Sequence, residues 1–337
     1  MLGMFMSQAN RIAILLLLVV GLAACASPQV TLVTPTPVTI PSPTFSPTPL
    51  PPIPTATTTP LTCLSQPGEM RMGEVPTSGA PTSFYIYLPP CYEYFTDQRY
   101  PVLYLLNGIQ LDKDTSPAGD QWLRIGAPAA LDALIISGQV EPFIIVFPDD
   151  RYWNVVQGQY FGQFLVNDII PFIDQNFRTI ADRPHRAVGG LSRGGGWAFN
   201  IMFTHPDVFG SVGLHSPAVR VDDRSAVVYF IRQMPPELWP RIYFDTGDND
   251  SQRGYNTMIE GLLALYSVPH EWHLNNGAHT LEYWTAHVTE YLLWYAEGFA
   301  TAGPPLPTST PQPTVVPDST LPATATAPAE SSATTTP

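Results

Sequence analysis

The stretch Ala187-Val-Gly-Gly-Leu-Ser-Arg-Gly-Gly-Gly-Trp-Ala-Phe199 decides the fold of this chain, because it places one serine, Ser192, among five glycines. Gly190 and Gly194 lie two positions before and two positions after that serine, which gives the pattern G-x-S-x-G. Between a strand and a helix, this pattern is typical of a nucleophile elbow, a sharp turn that exposes a serine hydroxyl. The alternative is a phosphate-binding glycine loop, but the chain lacks the Gly-Lys-Ser/Thr sequence and the spaced acidic residue of such loops.

The segments around this stretch alternate between predicted strands and predicted helices. Apolar runs and two-residue alternation predict strands, and apolar residues at helical spacing predict helices. The predicted strands are residues 82–88, 101–106, 143–147, 186–189, 211–215, 241–245 and 270–274. The predicted helices are residues 122–137, 161–177 with a kink at Pro171, 197–204, 255–266 and 280–299. This order predicts an α/β domain with a mostly parallel sheet and helices on both faces.

In such a sheet, functional side chains gather at the carboxyl ends of the strands. A serine hydroxyl there needs a base, and the hydrolase order is serine, acid, histidine. After Ser192, one strand ends at Asp245 and opens into a loop with Asp248 and Asp250, and a later strand leads to His279 before the last helix. The residues therefore predict a Ser–His–Asp triad of Ser192, His279 and one of three aspartates.

The remaining histidines do not indicate a metal site. His270 and His273 lie three positions apart on a predicted strand, so their side chains point to opposite faces. The zinc pattern H-E-x-x-H is absent from the chain. We therefore expect no metal site.

The tetrahedral intermediate of acyl transfer carries an oxyanion that backbone N–H groups must stabilise. One donor is expected to be the N–H of Arg193, directly after the serine, and the other to come from the turn after the strand 101–106, at Ile109 or Gln110. A bulky arginine is acceptable after the serine because this role uses its backbone. Its side chain is expected to lie along the helix surface or to pair with an acidic residue.

The first 25 residues indicate export. Arg11 precedes an apolar run, Ile12–Ala24, that is too short to cross a bilayer and is typical of a secretory signal. Leu22-Ala-Ala-Cys25 resembles the lipobox of bacterial lipoproteins, in which the cysteine is lipidated and becomes the new N-terminus. An ordinary signal peptide and an uncleaved anchor are the alternatives. Lipidation at Cys25 with two or more acyl chains would hold the protein stably on a membrane.

Two proline- and threonine-rich segments flank the central domain. Residues 28–60 hold 11 prolines and residues 302–337 hold 9, more than half of the chain's 38. Such segments have little to bury and favour extended conformations. The predicted organisation is therefore a signal peptide (1–25), a linker (26–60), one α/β domain (61–300) and a disordered tail (301–337).

Cysteine count and charge agree with an exported protein. If Cys25 carries lipid, Cys63 and Cys91 form the one remaining pair, and an oxidising compartment allows a disulfide between them. The alternative is two buried free thiols. The net charge of −13 argues against nucleic acid as a partner.

Five motifs together resemble those of a known family. They are Tyr100–Gly108, His185–Gly195, His205–Gly210, Gly247–Asp250 and Gly277–His279. The resemblance is to the esterase D-like "putative esterase" family, which includes feruloyl and acetylxylan esterases, S-formylglutathione hydrolase, enterochelin esterases and mycolyltransferases. It implies an α/β-hydrolase fold and a serine carboxylesterase without a cofactor.

The resemblance also implies roles for single residues. Ser192 resembles the nucleophile of the family and His279 its base, and Asp250 is favoured over the other aspartates because the family's acid ends a G-x-x-D segment. Two positions differ from the family. Asn107 stands where histidine is common before Gly108, and Arg193 stands where methionine is usual.

These observations lead us to expect a lipid-anchored esterase on the outer face of the bacterial cytoplasmic membrane or the cell surface. Its expected substrates are feruloyl- or acetyl-type esters of carbohydrate, or other small esters. Tyr152, Trp153 and Trp284 are expected either to line the site or to pack beneath it. An acyltransferase with the same triad and a non-catalytic binding protein on the same scaffold are the alternatives.

Overall fold

The computed structural model describes residues 62–76, 82–109, 119–149, 161–219 and 224–302, which build an eight-stranded sheet. Its strands in chain order are β1 (Glu69–Val75), β2 (Thr82–Leu88), β3 (Val102–Leu106), β4 (Ile144–Pro148), β5 (Arg186–Leu191), β6 (Ser211–His215), β7 (Arg241–Gly247) and β8 (Glu271–Asn275). Their order across the sheet is β1-β2-β4-β3-β5-β6-β7-β8. The pairs β1–β2 and β2–β4 are antiparallel and the other pairs are parallel, so the predicted mostly parallel sheet is confirmed.

Helices cover both faces of this sheet. They are α1 (Gln121–Arg124), α2 (Ala127–Ile136), α3 (Phe161–Phe164), α4 (Ile170–Asn176), α5 (Arg193–Thr204), α6 (Arg224–Gln233), α7 (Arg253–Leu265) and α8 (Leu281–Thr301). Buried side chains of α3 to α7 form one core with the sheet, and those of α1, α2 and α8 form a second core. The two cores correspond to the two faces, since side chains of a strand alternate between faces.

Three predicted helices are interrupted or begin at a clearly different residue, and the other two shift by only one or two residues at each end. The predicted helix 122–137 is interrupted between α1 and α2, where Gly126 has a φ of 84° that ends the first helix. The predicted helix 161–177 contains a π-helical segment, Leu165–Ile169, just before Pro171, which lies in the first turn of α4 and lacks an N–H to donate. The helix predicted to begin at Trp197 begins at Arg193.

Two elements were missed by the sequence analysis. Strand β1 lies at the edge of the sheet and is largely exposed, so it lacks the apolar run that identified the inner strands. Helix α6 buries only Val227 and Ile231, which is a weak periodic signal over ten residues. The disulfide predicted between the two remaining cysteines is present, and free thiols are excluded. It joins Cys63, in a 3₁₀ turn before β1, to Cys91, in the turn after β2.

The predicted segments 1–25 and 26–60 lie outside the described residues, and so does Cys25. The predicted tail, residues 301–337, lies outside them from residue 303 onward, and Thr301 is the last residue of α8. Within the described ranges, no helix combines the length and the apolar composition that a membrane crossing requires.

Candidate active site

Ser192 lies in a sharp turn between the end of β5 and the start of α5. Its φ is 54°, a left-handed conformation that side-chain-bearing residues rarely adopt. The turn brings the backbone on either side of Ser192 so close together that a side chain does not fit. A Cβ on Gly190 would lie 2.2 Å from the carbonyl carbon of Gly194. A Cβ on Gly194 would lie 2.4 Å from the carbonyl oxygen of Leu106. Glycine is therefore required at both positions by the geometry of the turn, as the G-x-S-x-G pattern indicates.

Three strand ends bring Ser192, His279 and Asp250 together. The Ser192 Oγ lies 2.8 Å from the Nε2 of His279. The Nδ1 of the same imidazole lies 3.0 and 2.9 Å from the two carboxylate oxygens of Asp250. Ser192 follows β5, Asp250 follows β7 and His279 follows β8, so all three lie at the carboxyl edge of the sheet. When Nδ1 carries the ring proton, its N–H donates a hydrogen bond to the carboxylate. Nε2 is then unprotonated and can accept the serine proton.

The Asp250 carboxylate is held in its charged form. Its side chain is fully buried, whereas the side chain of His279 is 23% exposed. Burial by itself raises the pKa of Asp250, but hydrogen bonds from the His279 ring and from the Gln252 N–H, at 2.6 Å, outweigh it and lower the pKa below its ordinary value. An ionised carboxylate at this position can stabilise an imidazolium on His279.

Asp248, in the loop after β7, forms hydrogen bonds with the loop after β8, which carries His279. Its carboxylate accepts a hydrogen bond from the Gly277 N–H at 3.0 Å, and its own N–H donates to the Asn275 carbonyl at 2.7 Å. The next residue, Asn249, donates its N–H to the Gly277 carbonyl at 2.8 Å. The loops after β7 and β8 are therefore joined by backbone contacts two residues before His279.

The third aspartate, Asp245, belongs to a separate buried network behind the site. It is fully buried, and its carboxylate lies 3.0 Å from the His215 Nδ1. The hydroxyl groups of Tyr283 and Tyr291 donate to its other oxygen at 2.6 and 2.9 Å. Burial raises the pKa of both tyrosines, so their hydroxyls stay protonated donors. Sequence reasoning missed this network, and its only signal was a histidine and an aspartate at the paired ends of two predicted strands.

The loop after β3 lies directly against Ser192. A Cβ on Gly108 would lie 3.3 Å from the Ser192 Cβ and 2.8 Å from the Leu191 Cδ1. Ile109 is 45% exposed beside it, and Gln110 lies outside the described residues. Arg193 is the first residue of α5, and its Nη2 donates to the Gly108 carbonyl at 2.9 Å. The two proposed oxyanion residues are thus on chain segments that contact each other.

A cavity of about 630 Å³ opens next to Ser192. Its walls are mostly apolar or uncharged, and they are formed by Gly108, Ile109, Gln121, Arg124, Leu191, His279, Thr280, Leu281 and Trp284. Of the three aromatic residues expected near the site, Trp284 lines this cavity and packs edge-on against the His279 ring at 5.0 Å. Tyr152 and Trp153 lie outside the described residues.

The other histidines have local partners within the described part of the chain. His185 lies 2.6 Å from Asp182, His270 contacts the Val268 carbonyl, and His287 lies 3.2 Å from Glu290. No group of three or more potential metal ligands occurs among the described residues.

Comparison with known proteins gives one matching family and several relatives. A model of the family described as "Putative esterase" matches residues 76–295. An endo-1,4-beta-xylanase/feruloyl esterase of Xylanibacter ruminicola is 32% identical over 178 residues, which are 50% of this chain and 22% of that protein. An esterase of Mycobacterium tuberculosis is 32% identical over 148 residues, or 41% of this chain and 30% of that protein. The chain thus matches less than a third of the length of these two relatives.

Solved structures are similar over most of the described domain. A ferulic acid esterase superposes with a TM-score of 0.60 at 23% identity, covering 69% of this chain and 99% of that one. S-formylglutathione hydrolase from Staphylococcus aureus gives 0.54 at 16% identity, with 68% and 98% covered. The enterobactin esterase of Shigella flexneri gives 0.53 at 16% identity, with 69% and 60% covered. The expected α/β-hydrolase fold is confirmed.

Proposed function

The chain belongs to the esterase family described as "Putative esterase", whose match spans residues 76–295, and on that premise we propose that it is a serine carboxylic ester hydrolase. One observation carries the proposal: Ser192 Oγ, His279 Nε2 and the Asp250 carboxylate form a chain of hydrogen bonds of 2.8 to 3.0 Å. A serine beside a base, with that base oriented by an acid, is the arrangement that activates a hydroxyl for acyl transfer.

The proposed reaction proceeds in two steps through an acyl-enzyme. Ser192 Oγ attacks the ester carbonyl while His279 Nε2 accepts its proton, and the oxyanion is stabilised by the N–H groups of Arg193 and Ile109. His279 then gives the proton to the departing alkoxide, which leaves as the alcohol. In the second step, water attacks the acyl carbonyl while His279 accepts a proton from it. The bond between the acyl carbon and Ser192 Oγ then breaks, His279 returns the proton to Oγ, and the acid is released. Asp250 stabilises the imidazolium during both steps.

We propose esters of carbohydrate with feruloyl- or acetyl-type acyl groups as the substrate class. The relative from Xylanibacter ruminicola is named as an endo-xylanase and feruloyl esterase, which supports this class. The cavity beside Ser192 has a volume of about 630 Å³, within the range of about 300–1,000 Å³ typical of small-molecule sites. Its apolar walls at Leu281 and Trp284 are suited to an aromatic acyl group.

We further propose that the protein is exported and held on the membrane surface through lipid on Cys25. The signal-like N-terminal segment supports export, and a disulfide such as Cys63–Cys91 persists in an oxidising compartment. Expression of the full chain and of Cys25→Ser in a bacterial host tests this. The wild-type chain should sediment with membranes and Cys25→Ser should not, and equal sedimentation would contradict the lipid anchor.

Replacement of the serine tests the catalytic proposal. We expect Ser192→Ala to lose turnover of p-nitrophenyl acetate and of methyl ferulate, and to lose covalent labelling by a fluorophosphonate. Ser137→Ala is the matched control, since Ser137 is an exposed serine at the end of α2, and it should retain both properties. Turnover by Ser192→Ala at the wild-type rate would refute the triad.

Product analysis separates hydrolysis from acyl transfer. Release of free acid at the same rate with and without an added sugar acceptor supports a hydrolase, whereas an acylated sugar as the main product supports a transferase. Absence of turnover and of fluorophosphonate labelling in the wild-type chain would instead support a binding protein.

A further inference from the structure

We propose that the Arg193 side chain is a positioning residue of the oxyanion hole, acting through the peptide unit that joins Gly108 to Ile109. This inference rests on the proposed ester hydrolysis at Ser192. It concerns the side chain of the residue whose backbone N–H is already assigned to the oxyanion.

The first step of the argument is that the Arg193 guanidinium is held by a hydrogen bond and by an aromatic face. Its Nη2 donates to the Gly108 carbonyl at 2.9 Å, across 85 residues of sequence. Its Cζ lies 4.3 Å from the centre of the Trp197 ring, one turn further along α5. Trp197 in turn stacks on Phe161 at 4.5 Å, so the aromatic platform is itself packed in place. A guanidinium stacked on an aromatic face presents its donors in a fixed direction.

The second step is geometric. A trans peptide unit is planar, and its C=O and N–H groups point in opposite directions. Holding the Gly108 oxygen therefore fixes the direction of the Ile109 N–H, because both belong to the same peptide unit. Rotation of that unit would break the bond to Arg193 and turn the N–H away from its present direction.

The peptide groups next to this unit are held as well, within the described part of the loop. Gln121 Oε1 accepts from the Gly108 N–H at 2.6 Å, and Gln121 Nε2 lies 3.5 Å from the Ile109 carbonyl. Among the described residues, no acceptor occupies the Ile109 N–H. Gly108 and Ile109 both line the cavity beside Ser192, so an ester oxygen bound there would lie next to this peptide unit.

The third step is electrostatic. A cationic donor on a carbonyl polarises the whole peptide unit and makes its N–H a stronger donor. Arg193 is half-buried, so solvent screens its charge less than at an exposed site. The stabilisation matters most when negative charge develops on the substrate oxygen, which occurs in the transition state and not in the bound ester.

The test is a kinetic comparison of Arg193→Met, Arg193→Lys and Arg232→Met in the full chain. Methionine keeps an unbranched side chain on Trp197 and removes the donors, and lysine restores one cationic donor. Arg232 is the matched control, because it lies over the Tyr266 ring at 5.3 Å on α6 and belongs to no part of the site. Substrates are p-nitrophenyl acetate and methyl ferulate, and a trifluoromethyl ketone analogue reports oxyanion binding.

For Arg193→Met we expect kcat to fall about 10- to 100-fold. Removing an oxyanion donor outright costs about 10²- to 10³-fold. The expected loss is smaller because the Ile109 N–H remains in place and loses only its orientation. KM should change less than about threefold, and the inhibition constant of the trifluoromethyl ketone should rise in proportion to the loss in kcat/KM. Arg193→Lys should recover at least half of the loss on a logarithmic scale, and Arg232→Met should match wild type.

A wild-type kcat in Arg193→Met would overturn the inference while leaving the triad in place, because the enzyme would still turn over and still label. The same holds if KM and Tm change and the ketone still binds as in wild type, since that pattern indicates packing alone. Failure of the wild-type enzyme itself to turn over or label would instead refute the proposed function.

Discussion

Replacement of Asp250 by asparagine tests which of three aspartates is the acid of the triad. The His279 Nδ1 lies 2.9 Å from a carboxylate that is fully buried. With an effective dielectric constant of about 20, an imidazolium and a carboxylate at that distance attract each other by about 6 kcal/mol, or roughly four factors of ten in rate. Asparagine removes this charge and can donate to Nδ1, which would leave Nε2 protonated against the serine.

We therefore expect Asp250→Asn to lower kcat by about 10³- to 10⁴-fold, the smaller value allowing for the exposed part of the His279 ring. The assay is kcat on p-nitrophenyl acetate and methyl ferulate, with urea unfolding of each variant to confirm the fold. Asp248→Asn is the matched control, because it keeps an oxygen for the Gly277 N–H and should cost less than about tenfold. A loss of 10³-fold or more in Asp248→Asn, together with near wild-type turnover in Asp250→Asn, would refute the assignment.

The same variant has a defined pH dependence of stability. Because the folded-state pKa of Asp250 is lowered, folding favours its ionised form. That stabilisation is complete above the unfolded pKa of about 4 and is lost as the pH falls through the folded pKa. The difference in unfolding free energy between wild type and Asp250→Asn should therefore shrink as the pH falls below about 4. A difference that grew as the pH fell below about 4 would contradict the lowered pKa of Asp250.

Three further variants test the scaffold. Gly190→Ala should abolish fluorophosphonate labelling and reduce soluble protein, since its Cβ would lie 2.2 Å from the backbone of Gly194, and normal labelling would contradict the elbow geometry. The double variant Cys63→Ser/Cys91→Ser opens a loop spanning 28 residues, so urea unfolding should show a loss of about 3–4 kcal/mol while kcat stays near wild type. Asp245→Ala leaves the buried His215 and two tyrosine hydroxyls without their acceptor. It should lower the free energy of unfolding by about 3–5 kcal/mol. A loss below about 1 kcal/mol would contradict a stabilising role of this network.

The inner strands and the elbow were accessible from the sequence because their signals are local. Strands β3 and β4 are buried on both faces and therefore read as apolar runs, and parallel strands separated by helices imply the architecture. The pattern of Gly190 and Gly194 around Ser192 is also short in sequence. Gly190 is required by Gly194, four residues later, and Gly194 by the end of the adjoining strand β3 at Leu106. The order of Ser192, the β7 loop and His279 could then be read along the chain.

Other features carry no local signal. Strand β1 is exposed at the edge of the sheet and lacks an apolar run. The first turn of α5 contains three glycines, which lower helix propensity, so the start of α5 at Arg193 depends on packing against neighbouring strand ends. The buried pair of His215 and Asp245 joins residues 30 apart, and each alone reads as an ordinary strand terminus.

The sequence by itself determined the fold class and named Ser192 and His279, because nucleophile geometry and strand burial impose residue types at short spacing. The family resemblance favoured Asp250 among the three aspartates, and the tertiary structure showed the partner of each. Asp250 contacts His279, Asp248 contacts the loop backbone and Asp245 contacts His215 in the core. The tertiary structure alone brought the Arg193 guanidinium to the Gly108 carbonyl. These contacts join residues 29 to 85 positions apart, and they depend on how the ends of neighbouring strands align, which short-range patterns do not encode.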